Sequence, residues 1–163
     1  MSTASTRVRP ARPEEAKALS ELALRSKAHW GYEADFLQRC RAELKLRPDQ
    51  LAPLRAHVLE RDGRLVGFFT LAGDPPEGEL VHLYVDPAAI GGGAGATLLS
   101  SARELAQREG FRRLLIHSDP HAVPFYSRHG ARLVGEVASG SILGRLLPLL
   151  SLELAPQEPT AGP

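Results

Sequence analysis

The chain has 163 residues, a formal charge of +1 and an apolar fraction of 43%, which suffices for one sizeable core and suits one domain over residues 1–155. Acidic and basic residues are interspersed without a long Lys/Arg run, so the charge pattern gives no footprint for nucleic acid or an anionic membrane. Cys40 is the only cysteine, which excludes an internal disulfide and a multi-cysteine zinc site and fits a reducing compartment. Apolar stretches are broken well before the roughly 20 residues that cross a bilayer, and the Ser/Thr-rich start lacks the apolar centre of a signal peptide, so a cytoplasmic protein is expected.

Thr6 to Pro10 reads as a short edge strand, and Pro13-Glu14-Glu15 opens a helix, since proline suits its first turn and the acids its dipole. Ala16, Leu19, Leu22, Ala23 and Ala28 recur at helical spacing until Trp30-Gly31-Tyr32 interrupts them. A second helical run covers about Glu33 to Leu46, with Phe36, Leu37, Cys40 and Leu44 as its stripe, and Pro48 prevents its continuation. From His57 the pattern becomes strand, Asp62-Gly63 hairpin turn, then strand over Leu65 to Leu71. After the loop Pro75 to Gly78, Glu79 to Val85 is another strand, ended by Asp86-Pro87.

Ala94 to about Glu109 is an amphipathic helix stopped by Gly110, and Leu114 to His117 is a nearly continuous apolar strand that completes a βαβ unit. Asp119-Pro120 opens a short helix through about Arg128, Ala131 to Val137 resumes as strand, and Leu149 to Leu154 forms a last one. The run Ile142 to Leu154 suits either a buried strand or a homodimer contact, and the tail Pro156 to Pro163 has the composition of disorder.

Gly91-Gly92-Gly93-Ala94-Gly95-Ala96 lies between a strand and an amphipathic helix, so side chains are absent where backbone N–H groups converge at a positive helix end. That pattern suits a phosphate or pyrophosphate better than a merely flexible connection. A nucleoside-triphosphate loop is excluded because Gly95-Ala96-Thr97 supplies no lysine. A dinucleotide fingerprint fits Gly91, Gly93 and Ala96, but the approach from Asp86 to Ile90 is long, Asp119 falls late, and little chain remains for more parallel strands.

Leu83-Tyr84-Val85-Asp86-Pro87, the glycine turn, and Asp119, Ala122, Phe125, Tyr126 and Gly130 together resemble the GCN5-related N-acetyltransferase (GNAT) superfamily in order and spacing. The resemblance implies an α/β fold with a mixed, mostly antiparallel twisted sheet, splayed at its middle strands and flanked by helices. It also implies that acetyl-CoA is the cosubstrate, with pantetheine along Leu83, Tyr84 and Val85 and pyrophosphate on Gly91, Gly92, Gly93, Ala94, Gly95 and Ala96. Asp119 and Phe125 complete the cofactor contacts it implies. The chain departs from the family at Ile90, where Arg or Gln is usual, and at Gly92, where a basic residue is common.

The reaction implied is acetyl transfer to a primary amine of a small-molecule or peptide acceptor by direct attack in a ternary complex. Tyr126 matches the family's general acid, and Glu79 is the candidate base, with His82 as its rival because a histidine titrates nearer neutrality. Trp30 and Tyr32, with His29 beside them, suit walls of an acceptor site, and Ser139-Gly140-Ser141 and Arg145 lie on another polar turn that can reach it. His57, His117, His121 and His129 show no metal-ligand spacing, so no metal is expected. The alternatives are a CoA-binding module without turnover and an NAD-binding protein.

Overall fold

The computed structural model describes residues 5–155, so the tail Pro156 to Pro163 lies outside the described residues. The chain begins with β1 (Thr6–Pro10), a 3-10 turn at Pro13–Glu15, α1 (Ala16–Ala28) and α2 (Ala34–Leu44). An antiparallel meander follows, of β2 (His57–Arg61), β3 (Arg64–Asp74) and β4 (Glu77–Val85). Then come α3 (Ala94–Arg108), β5 (Arg113–His117), α4 (Val123–Arg128), β6 (Arg132–Ala138) and β7 (Leu146–Glu153). Among the described residues the strands form one seven-stranded sheet of order β1-β2-β3-β4-β5-β7-β6, antiparallel except between β4 and β5. This is the mixed, mostly antiparallel sheet with flanking helices that the resemblance implied.

Two-residue alternation sends neighbouring side chains to opposite faces, so Val58 and Phe68 enter one core while Leu59 and Phe69 enter the other, all four without exposure. The first core is closed by Leu19 and Leu22 of α1 and Cys40 and Leu44 of α2, the second by Leu98, Leu99 and Ala102 of α3. Each such phenylalanine or leucine contributes about 1.5–3 kcal/mol by leaving water. Asp62 and Gly63 both have positive φ, 53° and 78°, as the tight hairpin between β2 and β3 requires. Arg9 forks onto Glu15 at 2.8 and 2.9 Å and reaches Glu60 at 3.1 Å, which ties the entry to α1 onto β1 and β2.

The sheet parts at its middle. Pairing of β4 with β5 is limited to Glu77 with Arg113, Gly78 with Leu114 and Glu79 with Leu115. Beyond it β4 continues to Val85 against β3 alone, while Ile116 and His117 of β5 pair only with β7. A bulge marks the parting: Thr70 faces His82 and Leu71 faces Leu80, leaving Val81 as the extra residue of β4. At the closed end Gly78 permits tight contact, because a Cβ there would stand 2.5 Å from the Phe111 ring and 2.8 Å from the Ala72 carbonyl.

β7 begins three residues earlier than the sequence pattern predicts, and it contains Pro148. The Pro148 carbonyl accepts the Ser118 N–H at 2.9 Å, so this residue faces β5 just past the last β5 pair, His117 with Leu149, where a missing donor breaks no ladder bond. The apolar run there divides accordingly: Leu150, Leu152 and Leu154 are buried in the sheet, and Leu143 and Leu146 are exposed.

Candidate active site

The glycine turn ends at Gly93, whose φ of 81° places it in the left-handed region before α3. The first helical bond runs from the Thr97 N–H to the Gly93 carbonyl at 3.0 Å, leaving the N–H groups of Ala94, Gly95 and Ala96 without a helical acceptor. These donors sit at the positive end of a 15-residue helix, a ready anion site. Gly95 is also a packing requirement, since a Cβ there would lie 3.3 Å from two ring atoms of Phe125. Arg103 of α3 donates to the His129 carbonyl at 2.7 Å, so α3 contacts α4 at Phe125 and at its C-terminal end, on either side of Tyr126.

A cavity of about 590 Å³ runs from this helix end into the gap between β4 and β5. It is lined by Gly91, Gly93, Ala94, Gly95 and Ala96, by Leu83, Tyr84 and Val85, and by Asp119, Phe125 and Tyr126. Gly92 does not line it, and Trp30 does, which puts that tryptophan on the larger cavity. The Asp86 N–H pairs with the Val66 carbonyl of β3 at 2.8 Å, so by strand alternation the peptide groups of Leu83 and Val85 face the open gap and that of Tyr84 faces β3. Burial pushes the Tyr126 phenol well above its ordinary value and so keeps it protonated; its hydroxyl has no hydrogen-bond partner among the described residues.

A second cavity of about 310 Å³ adjoins, sharing Val81, Tyr84, His117 and Asp119 with the first. Glu79, His82, Ser141 and Arg145 line it. Glu79 Oε1 lies 3.5 Å from His117 Nε2. His82 is buried with Nδ1 at 2.7 Å from Thr70 Oγ1, and burial pushes its imidazole down to about 4, so it is neutral at pH 7 and a weak base.

Tyr32, expected as an acceptor wall, lines neither cavity. Its hydroxyl donates to Asp119 Oδ2 at 2.8 Å and accepts from Arg145 at 3.0 Å, and its ring stacks on Phe36 at 4.3 Å. Burial, with the Asp119 carboxylate, pushes its phenol up to about 12. Asp119 also takes the His121 backbone N–H at 2.9 Å and stands 3.3 Å from Lys27 Nζ. Burial opposes its charge, but these hydrogen bonds and Lys27 outweigh it and hold the carboxyl below the ordinary value. Asp119 therefore ties the elbow between α1 and α2 to the turn after β5, and Trp30 stacks on His121 there at 5.1 Å.

Sequence reasoning missed Arg61, whose guanidinium lies 3.4 Å from where a Cβ of Gly92 would stand. It comes from the end of β2, and only the strand register brings it to the loop. His117 ends the strand that the sequence pattern gives for Leu114 to His117, and its position beside Glu79 follows from the β4–β5 pairing.

A mixed sheet that parts at its middle, with an anion-binding helix end at the mouth of the gap, has the architecture of CoA-dependent acyltransferases. The chain belongs to the Acetyltransferase (GNAT) family, whose model matches residues 17–131. Its fold is similar to that of PaiA N-acetyltransferase from Thermoplasma acidophilum, solved in complex with coenzyme A, at TM-score 0.76, 20% identity and coverage of 91% of this chain and 99% of that one. A GCN5-related N-acetyltransferase from Rhodopseudomonas palustris gives TM-score 0.79 at 22% identity, covering 94% and 99%. N-acetylglutamate synthase from Neisseria gonorrhoeae, complexed with coenzyme A and N-acetyl-glutamate, gives 0.65 at 21%, covering 94% of this chain and 36% of that one. The comparison with curated proteins found no match. Among the described residues no helix is long and apolar enough to cross a membrane.

Proposed function

We propose that the chain, acting as one domain over residues 1–155 in the cytoplasm, is an acetyl-CoA-dependent N-acetyltransferase that acts on a primary amine by direct attack in a ternary complex. The observation that carries this reading is the meeting of two cavities at the parted strands, one reaching an anion-binding helix end and the other lined by Glu79. Acetyl-CoA supplies the activated thioester. Ala94, Gly95 and Ala96 offer N–H groups to its pyrophosphate, and the open edge of β4 at Leu83 and Val85 offers peptide groups to its pantetheine and thioester carbonyl. Arg61 provides a positive charge beside the loop in place of the basic residues absent at Ile90 and Gly92.

Glu79, with His117 beside it, takes a proton from the acceptor ammonium, directly or through water, and Tyr126 holds the proton that the departing thiolate needs. His82 is the weaker candidate for the base because its burial favours neutrality without basicity. A homodimer would use Leu133, Val134, Leu143 and Leu146, the large apolar side chains left exposed around β6 and the start of β7.

Calorimetric titration with acetyl-CoA followed by thiol release against a panel of amines tests the reading. Binding with release, lost by about 100-fold or more in kcat for Tyr126→Phe and for Glu79→Gln, is the expected result. Binding without release for any amine would point to a CoA-binding module, and no binding would overturn the reading.

A further inference from the structure

The smaller cavity bears on the acceptor's chemistry, an inference that rests on the transferase reading. We propose that the acceptor is a small amine that also carries a carboxylate, the chemical class of a free amino acid, and that Arg145 and Ser141 receive that carboxylate.

Arg145 is half-buried in the turn between β6 and β7 and has no carboxylate within ion-pairing distance among the described residues. Its one side-chain hydrogen bond goes to the neutral Tyr32 hydroxyl at 3.0 Å. The guanidinium lies 4.7 Å from the Phe36 ring centroid and 5.4 Å from that of Tyr32, so aromatic faces hold it while most of its edge donors remain unspent. A planar cation fixed in this way presents the fork that matches a carboxylate. Lys27 of the same cavity differs, because Asp119 already neutralises it at 3.3 Å.

Ser141 gives an independent observation on the same turn. Its Oγ is itself enclosed and has no hydrogen-bond partner among the described residues. A hydroxyl left so is unfavourable, and because Ser141 lines the cavity, rotation of its side chain toward it would let a carboxylate oxygen accept its proton. Glu79 supplies the opposite charge for the ammonium, 3.5 Å from His117, which borders both cavities. The exposed Glu43 and Lys45 also border this cavity and offset one another in sign, so with Arg145 and Glu79 it offers both signs of charge and suits a zwitterion. A polyamine or a lysine-rich peptide would bring only positive charge toward Arg145. The cavity volume of about 310 Å³ is also that of a small-ligand site.

The test compares the common free amino acids with their amides, and with spermidine and a lysine-bearing peptide, by thiol release at saturating acetyl-CoA. At least one amino acid should turn over best, its amide falling by about tenfold or more in kcat/KM. Arg145→Gln should raise KM for that amino acid by about tenfold and narrow its advantage over the amide, with acetyl-CoA affinity retained, and Ser141→Ala should raise KM by a smaller factor. Equal turnover of acid and amide, or preference for spermidine or the peptide, would overturn the proposal. So would a failure of every amino acid both to bind the CoA-saturated protein in calorimetry and to be acetylated. If acetyl-CoA itself did not bind, the transferase reading would fail first, and the two failures are distinguishable.

Discussion

His82 allows a quantitative test of how the sheet treats a buried base. Burial lowers its folded pKa to about 4 from an ordinary 6.5. The unfolded chain therefore binds a proton below about pH 6.5 that the folded chain refuses until about pH 4, so stability is full above the upper value and declines as pH falls between the two. At 1.36 kcal/mol for each unit, the whole window corresponds to about 3 kcal/mol, of which about 2.5 kcal/mol has gone by pH 4.5. A change of this size moves the Tm of a chain of this length by about 5–10 °C. The assay is thermal unfolding of the parent and of His82→Gln, whose amide can still meet Thr70 Oγ1, at intervals from pH 7.5 to about pH 4.5. The parent should lose about 5–10 °C more than the variant over that range. Parallel curves for the two would refute the argument, because other carboxyls and histidines titrate equally in both.

Two further substitutions address the cofactor end of the site. Gly95→Val would drive a branched side chain into Phe125, already 3.3 Å from a Cβ at that position, and should lower stability by about 1–3 kcal/mol and kcat by about 10–100-fold through displacement of Tyr126; parental activity would refute it. Arg61→Ala should weaken acetyl-CoA binding by about fivefold and reduce its dependence on salt. The ligand-free Tm should stay within about 1 °C, because the Arg61 side chain makes no hydrogen bond or ion pair among the described residues. An unchanged affinity in calorimetry would remove Arg61 from the site.

Much of the fold was legible because period and punctuation agree locally. The helix from Ala94 and the strand Leu114 to Ile116 carry one pattern each, and Gly110 separates them. The parting of β4 from β5 had no such local signal. It arises from the extra residue Val81, whose neighbours Leu80 and His82 read as ordinary strand, and it was anticipated only through the family resemblance. Tyr32 shows the same limit at the site: an aromatic elbow could be read from Trp30-Gly31-Tyr32, but the bond to Asp119 joins residues 87 positions apart. Arg61 was equally hidden, since its approach to Gly92 depends on register. What the sequence states plainly is period and backbone freedom; which side chains face one another across a gap is tertiary information.

The bulge explains why recognition of a cosubstrate and an acceptor is built at one place. Had β4 stayed paired beyond Glu79 with a β5 continued past His117, the peptide groups of Leu83 and Val85 would have found partners there, and no gap would open beside Glu79. By diverging there, the sheet leaves two peptide units open on a strand that is otherwise enclosed, an arrangement that is unfavourable in an unliganded protein and favoured once a ligand pairs with them. The same divergence makes β4 a common wall, with Val81 and Tyr84 bordering both cavities. Asp119 and His117 close the opposite wall, and Asp119 is held there by Tyr32 and Lys27 from the α1 and α2 side. The elbow therefore positions the rim of both cavities at once, so a change in Asp119 should disturb donor and acceptor binding together, whereas a change in Arg145 or Arg61 should disturb only one.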